Sequence, residues 1–177
     1  IIVKSTFTNN EGTEVKEKVM EEALVSGVTH NTKEVKFTLF EVPDQPGIAG
    51  TVFGSLSKIG INVDMIVQNV SKDSITDISF TAPTEQKDDV EDMLKSIAIE
   101  LKAKGYDVDE NVARVSIIGA GMKSESGVAS KMFKILGENS INISMISTSP
   151  IRVSCVIDSK DINAALEALH KEFIEKE

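Results

Sequence analysis

The chain has 177 residues, with 19 Lys+Arg against 28 Asp+Glu for a net charge of −9, two His, one Cys and no Trp. That length allows one domain or two small ones, and the acidic balance argues against nucleic acid, whose phosphates need a basic footprint. A lone Cys excludes an internal disulfide or a cysteine-based zinc cluster and fits a reducing cytoplasmic location, no apolar run is long enough for a membrane span, and the start, Ile1 to Thr8, reads as neither a secretory signal nor a natural Met start, so a piece of a longer protein is expected.

In chain order, Ile1–Val15 has strand character. Val35, Phe37 and Leu39 alternate with Lys36 and Thr38 as in a half-buried strand. Val42–Gly47, with two prolines and a glycine, reads as a loop. Ile48, Val52, Phe53, Leu56 and Ile59 keep helical spacing up to Gly60, a C-terminal stop. Val63–Val70 and Ile75–Ala82 read as strands, 88–104 as a second helix, and Tyr106 with Val108 as a short last strand. The rest repeats the plan: strand Val115–Ile118, a loop, helix Gly127–Gly137, strands Ile143–Ser147 and Ile151–Ile157, and helix Asp161–Glu175.

The repeat is direct. Val35–Asn69 lies over Val115–Ser149 without a gap, so that Gly47 meets Gly127, Ala49 meets Ala129, Phe53 meets Phe133, and Met65-Ile66 meets Met145-Ile146. Two β-α-β-β-α-β modules are expected, an α+β fold of ferredoxin-like units with helices on one face of each antiparallel sheet. The second copy stops one strand short. The expected remedy is that Ile1–Phe7 or Thr13–Val15 supplies it, making the second module 1–15 plus 111–177 and the first 16–110, with 16–33 as a lead-in.

Chemistry is sparse. No phosphate loop is present, and Gly119-Ala120-Gly121 lacks the third glycine of a dinucleotide fingerprint and reads as a bulged turn. His30 is placed in a polar loop and His170 on a helix, without metal spacing; Cys155 alternates with Val153 and Ile157 as a buried thiol; Asp88, Asp89, Glu91 and Asp92 favour a helix start. Neither a catalytic residue nor a metal ligand is assigned. The loop Pro46-Gly47-Ile48-Ala49 is different. It opens a helix whose free amides can hold a carboxylate. Asp44 before it and Asp64 at the next strand are placed at the same opening, where either can take an ammonium, with Gln68 for a small polar side chain. A capping role for Asp44 and a solvated one for Asp64 is the competing reading. The second copy has Ser124, Ser144 and Thr148 at these three positions, and so lacks the acids.

The strings DQPGIAGTVFGSLSKIGINVDMIVQNVS and VSIIGAGMKSESGVASKMFKILGENSINISMISTSPIRVSCVI resemble the paired ACT domains of the aspartokinase family, and the resemblance covers nearly the whole chain. It implies the regulatory part of an enzyme that phosphorylates aspartate in Lys, Thr and Met biosynthesis. That part binds an end-product amino acid, threonine or lysine, at a dimer interface and mediates feedback inhibition. ATP and Mg are then expected only in a kinase part, and no cofactor in this chain. By motif, the effector pocket would use Asp44, Gly47, Ile48, Ala49, Asn62, Val63, Asp64 and Gln68. The partner chain would add Val128, Ala129, Asn142, Ile143 and Ser149, with Pro150 departing from the acidic residue other members can carry. Threonine is expected over lysine, because Gln68 suits a hydroxyl and no further acid is evident for a second ammonium. An ACT-type assembly module without a working pocket is the alternative. An RNA-binding module of the same strand order is disfavoured by the charge and by strands without stacking aromatics.

Overall fold

The structure is a computed structural model that describes residues 24–70, 74–123 and 125–175, and the backbone of two short strands, β1 (Ile2–Val3) and β2 (Thr13–Glu14). After these the described chain forms β3 (Gly27–Asn31), β4 (Glu34–Pro43), α1 (Ile48–Lys58), β5 (Ile66–Val70), β6 (Ile75–Pro83), α2 (Lys87–Glu100) and β7 (Gly105–Asp109). It continues through β8 (Val112–Ile118), α3 (Val128–Glu138), β9 (Ile143–Ser149), β10 (Arg152–Asp158) and α4 (Ile162–Phe173).

Two antiparallel four-stranded sheets result, in the orders β5-β6-β4-β7 and β3-β8-β10-β9. In the first, Val35, Phe37 and Leu39 of β4 and Ile78 and Phe80 of β6 face one side and are covered by Val52 and Leu56 of α1 and Val90, Leu94 and Ile97 of α2. The cross-strand pair Phe37 and Phe80 stacks at 5.4 Å between ring centroids, and Phe53 of α1 meets Phe80 edge-on. The second sheet repeats this with Val115, Ile117, Val153, Cys155 and Ile157 under Met132, Leu136, Ala165 and Leu169. The repeat seen in the sequence survives in backbone detail. Gly47 and Gly127 precede their helices at φ 97° and 94°, and Gly60 and Ser140 follow them at 78° and 60°.

One expectation is corrected. The fourth strand of the second sheet is β3, whose Val28 and His30 pair with Ile117 and Val115 of β8; β1 and β2 pair with each other. Gly27–Asn31, placed above in the lead-in, therefore belongs to the second sheet, and His30 lies on a strand rather than in a loop. The first module is inserted between β3 and β8. A short edge strand needs little apolar character: the buried contact is made by Val25 just before β3, with Val28 packed against the same core. Gly119 lies under this segment, where a Cβ would stand 2.1 Å from the Leu24 carbonyl oxygen.

The faces not covered by helices meet. Met65, Val112, Met145 and Val156 form a small buried cluster between the sheets, with Val67 against it. β5 and β9 remain edge strands of their sheets. Among the described residues no helix is long and apolar enough to cross a membrane.

Candidate functional site

Among the described residues neither α1 nor α3 is capped by a side chain, and neither has an acidic residue in its first turn. Each therefore presents uncompensated amides and the positive end of its dipole. Asp44 does not cap α1: the residue before the helix is Gly47, whose positive φ turns the chain into it. The Asp44 amide donates to the Ser74 carbonyl at 2.8 Å, which fixes this half-buried residue at the end of β4 beside the start of β6. The Ile48 amide reaches Gln45 O at 3.3 Å, so the open donors are those deeper in the first turn, at Ala49 and Gly50.

Asp64 is elsewhere. Its amide donates to Thr81 O at 3.1 Å, seven residues along β6 from Ser74. At about 3.3 Å per residue this puts the backbones of Asp44 and Asp64 roughly 20 Å apart, at opposite ends of the sheet. Within one chain they do not flank a common opening, which corrects the reading made from loop order alone. An edge strand that follows a helix starts at the far end of the sheet from the loop that precedes the helix. Gln68, opposite Ile78, stands midway on the helix-covered side.

The second module divides the same way. Gly127, Val128 and Ala129 line an open cleft of about 400 Å³ with Thr148, Ser149 and Pro150. Ser124 lies outside the described residues. Asn142 and Ile143 are at the other end of β9, where Ile143 pairs with Ile157. Gln68 stands apart on β5, and the other twelve candidates form four groups. Asp44, Gly47, Ile48 and Ala49 gather at α1, and Val128, Ala129 and Ser149 at α3. Asn62, Val63 and Asp64 precede β5, and Asn142 and Ile143 open β9.

Sequence reasoning missed the partner of Asp64. Arg114 Nη1 donates to Asp64 Oδ2, and Arg114 Nη2 lies 2.6 Å from Glu34 Oε1. Asn31 Nδ2 also donates to Glu34 Oε1, at 2.6 Å. Burial pushes the Glu34 carboxyl above its ordinary 4.5, against the pull of the Arg114 guanidinium and the Asn31 hydrogen bond. The available signal was a charge within the apolar run Val112–Ile118, one of only two arginines in the chain.

Two ACT domain models match the chain, over residues 37–100 and 115–173. The regulatory subunit of aspartate kinase from Thermus thermophilus superposes with a TM-score of 0.80 at 35% identity, over 85% of this chain and 99% of that one. Aspartokinase alpha and beta subunits superpose equally well, at 40% identity over 84% of this chain and 98% of that chain. The chain belongs to the aspartokinase family, as a regulatory region of paired ACT domains. The aspartate kinase of Pseudomonas fluorescens is 45% identical over 174 residues, 97% of this chain but 42% of the relative. The chain thus spans less than half the length of the curated relatives it matches.

Proposed function

We propose that the chain is the amino-acid-sensing part of an aspartate kinase, and that it binds its effector at an interface between two copies. The observation that carries this is the uncapped start of α1 with Asp44 at its mouth. First-turn amides suit the effector's carboxylate and Asp44 its ammonium. Gln68 supplies a donor and an acceptor for a side-chain hydroxyl. Asp64 lies roughly 20 Å from Asp44 along the sheet, out of reach of lysine's second ammonium at the α1 mouth, which favours threonine.

Pairing between copies explains why the candidates fall into four groups. If β5 of one chain lies antiparallel to β9 of its partner, the partner's Asn142 and Ile143 arrive beside the α1 mouth. Asn62, Val63 and Asp64 then face the partner's α3 cleft. Ile66 and Ile146, at equivalent edge positions, are 48% and 43% exposed in the single chain and become covered. Binding energy that differs between two dimer arrangements is what shifts a kinase between active and inhibited forms. ATP and Mg belong in this reading to a kinase part, which phosphorylates aspartate, and the setting is cytoplasmic amino-acid biosynthesis.

The test is isothermal titration of the chain with threonine, lysine and both, with mass determined by light scattering. Threonine binding by a dimer, lost in Asp44→Asn, is the expected result. Lysine binding alone reverses the effector. A folded dimer that binds neither would be an assembly module.

A further inference from the structure

Arg114 stands where the chain crosses between modules. Asn31 closes β3 in the second sheet and Glu34 opens β4 in the first, and Arg114 is the register partner of Asn31 on β8. One guanidinium therefore joins three segments: the crossover through Glu34, the second sheet through its own backbone, and the Asn62–Asp64 segment through Asp64. The joint grades from dry to wet, with side-chain exposures of 5% for Glu34, 12% for Arg114 and 49% for Asp64. Glu34 Oε2 is buried without a hydrogen-bond partner among the described residues. The buried end is thus an anchor, and the exposed carboxylate is the end that can meet a ligand.

We infer that Arg114 is a positioning residue for the effector interface: fixed by Glu34, it orients Asp64 toward a bound amino acid and ties that contact to the joint between the two modules. This rests on the reading that Asn62–Asp64 faces an amino-acid pocket completed by a second copy. An aspartate on an unstructured connection would sample many rotamers. Held by a charge-assisted bond from a guanidinium itself locked by a second carboxylate, it is pre-organised. A ligand ammonium that shares Asp64 weakens the Arg114 bond, and the change is felt at the crossover, where Arg114 keeps its ion pair with the buried Glu34.

Removing Arg114 alone leaves Glu34 charged and buried, a strongly destabilising change. The variant tested is therefore Glu34→Gln/Arg114→Met, compared with Glu34→Gln alone. The chain is titrated calorimetrically with L-threonine and with L-lysine, with and without Asp64→Asn, and backbone hydrogen exchange is followed over residues 61–65. Loss of Arg114 is expected to weaken binding of the amino acid that the wild type takes by about tenfold, the scale of one charge-assisted bond. It should have no further effect once Asp64 is Asn, and exchange at 61–65 should quicken. Arg114→Lys should recover part of the affinity. Equal losses with and without Asp64→Asn would make Arg114 a packing residue and overturn the inference, as would unaltered exchange. Binding indifferent to Asp64→Asn overturns it while leaving the Asp44 pocket standing. A wild type that binds neither amino acid removes the pocket itself, and this inference with it.

Discussion

Cys155 sits on β10 between Val153 and Ile157, fully buried, and burial pushes its thiol up to about 12. Only the thiolate reacts, so at pH 8 roughly one molecule in ten thousand is competent even before access is counted. Iodoacetamide at that pH should leave the native chain unlabelled and modify it fully in urea, as read by intact mass. The Glu34 carboxyl yields a pH prediction of less familiar sign. Its folded pKa lies above the unfolded value, because burial outweighs Arg114 and Asn31. The folded chain then holds the proton more tightly, and this contribution is full below the unfolded value and lost as pH rises through the folded one. Urea denaturation of wild type and Glu34→Gln between pH 4 and 7 should show the wild type losing ground to the variant as pH rises. Cys155 was legible from strand alternation alone. The Glu34–Arg114–Asp64 joint was not, because its members lie on three segments far apart in sequence, and periodicity reports which face a residue takes without saying what another module places against it.

The elements follow from local signals where these repeat. The same glycine-to-helix turn occurs in both modules, and in each the glycine's φ lies near 95°, outside the range of L side chains, with open space where a Cβ would stand. Gly47→Ala should therefore cost about 1–2 kcal/mol by backbone strain alone, whereas Gly54→Ala, on the exposed side of α1, should gain about 0.5–1 kcal/mol in the single chain. Gly119 is required for a different reason. Its Cβ would overlap the Leu24 backbone, so Gly119→Ala must push the lead-in to β3 away or unseat it, at about 1–3 kcal/mol. Thermal unfolding of the three variants separates these causes: two losses and one gain. The helices, their stops and the inner strands were readable because burial on one face imposes a period. β3 was not, since an edge strand with polar Thr29, His30 and Asn31 carries no such period, and what holds it is the pairing with β8 across more than eighty residues of chain. The same limit governed the site. Loop order put Asp44 and Asp64 together, and the path of the chain down α1 set them at opposite ends of the sheet.

At the scale of the whole molecule, the two sheets turn their uncovered faces toward each other, and among their four edge strands β5 and β9 are equivalent by the internal repeat, each following the helix that a positive-φ glycine opens. An open edge with an exposed isoleucine is a template for another strand, and in the pairing proposed above the two such edges of one chain meet the partner's in antiparallel fashion, so that neither β5 nor β9 is left open. Exposure alone does not make this argument, because Ile99 on α2 is more exposed, at 81%, than Ile66 or Ile146. The three residues therefore form a controlled comparison. Ile66→Lys and Ile146→Lys each put a charge on an edge, the device that keeps edges unpaired, and each should turn the proposed dimer into a monomer in sedimentation velocity at micromolar chain. Ile99→Lys should leave the mass unchanged. If amino-acid binding depends on the pairing, the two edge variants should also lose threonine affinity in step with their loss of dimer, and raising the chain concentration should restore both together. A monomeric edge variant with undiminished affinity would place the whole pocket within one chain. An Ile99 variant that dissociates would move the interface to α2.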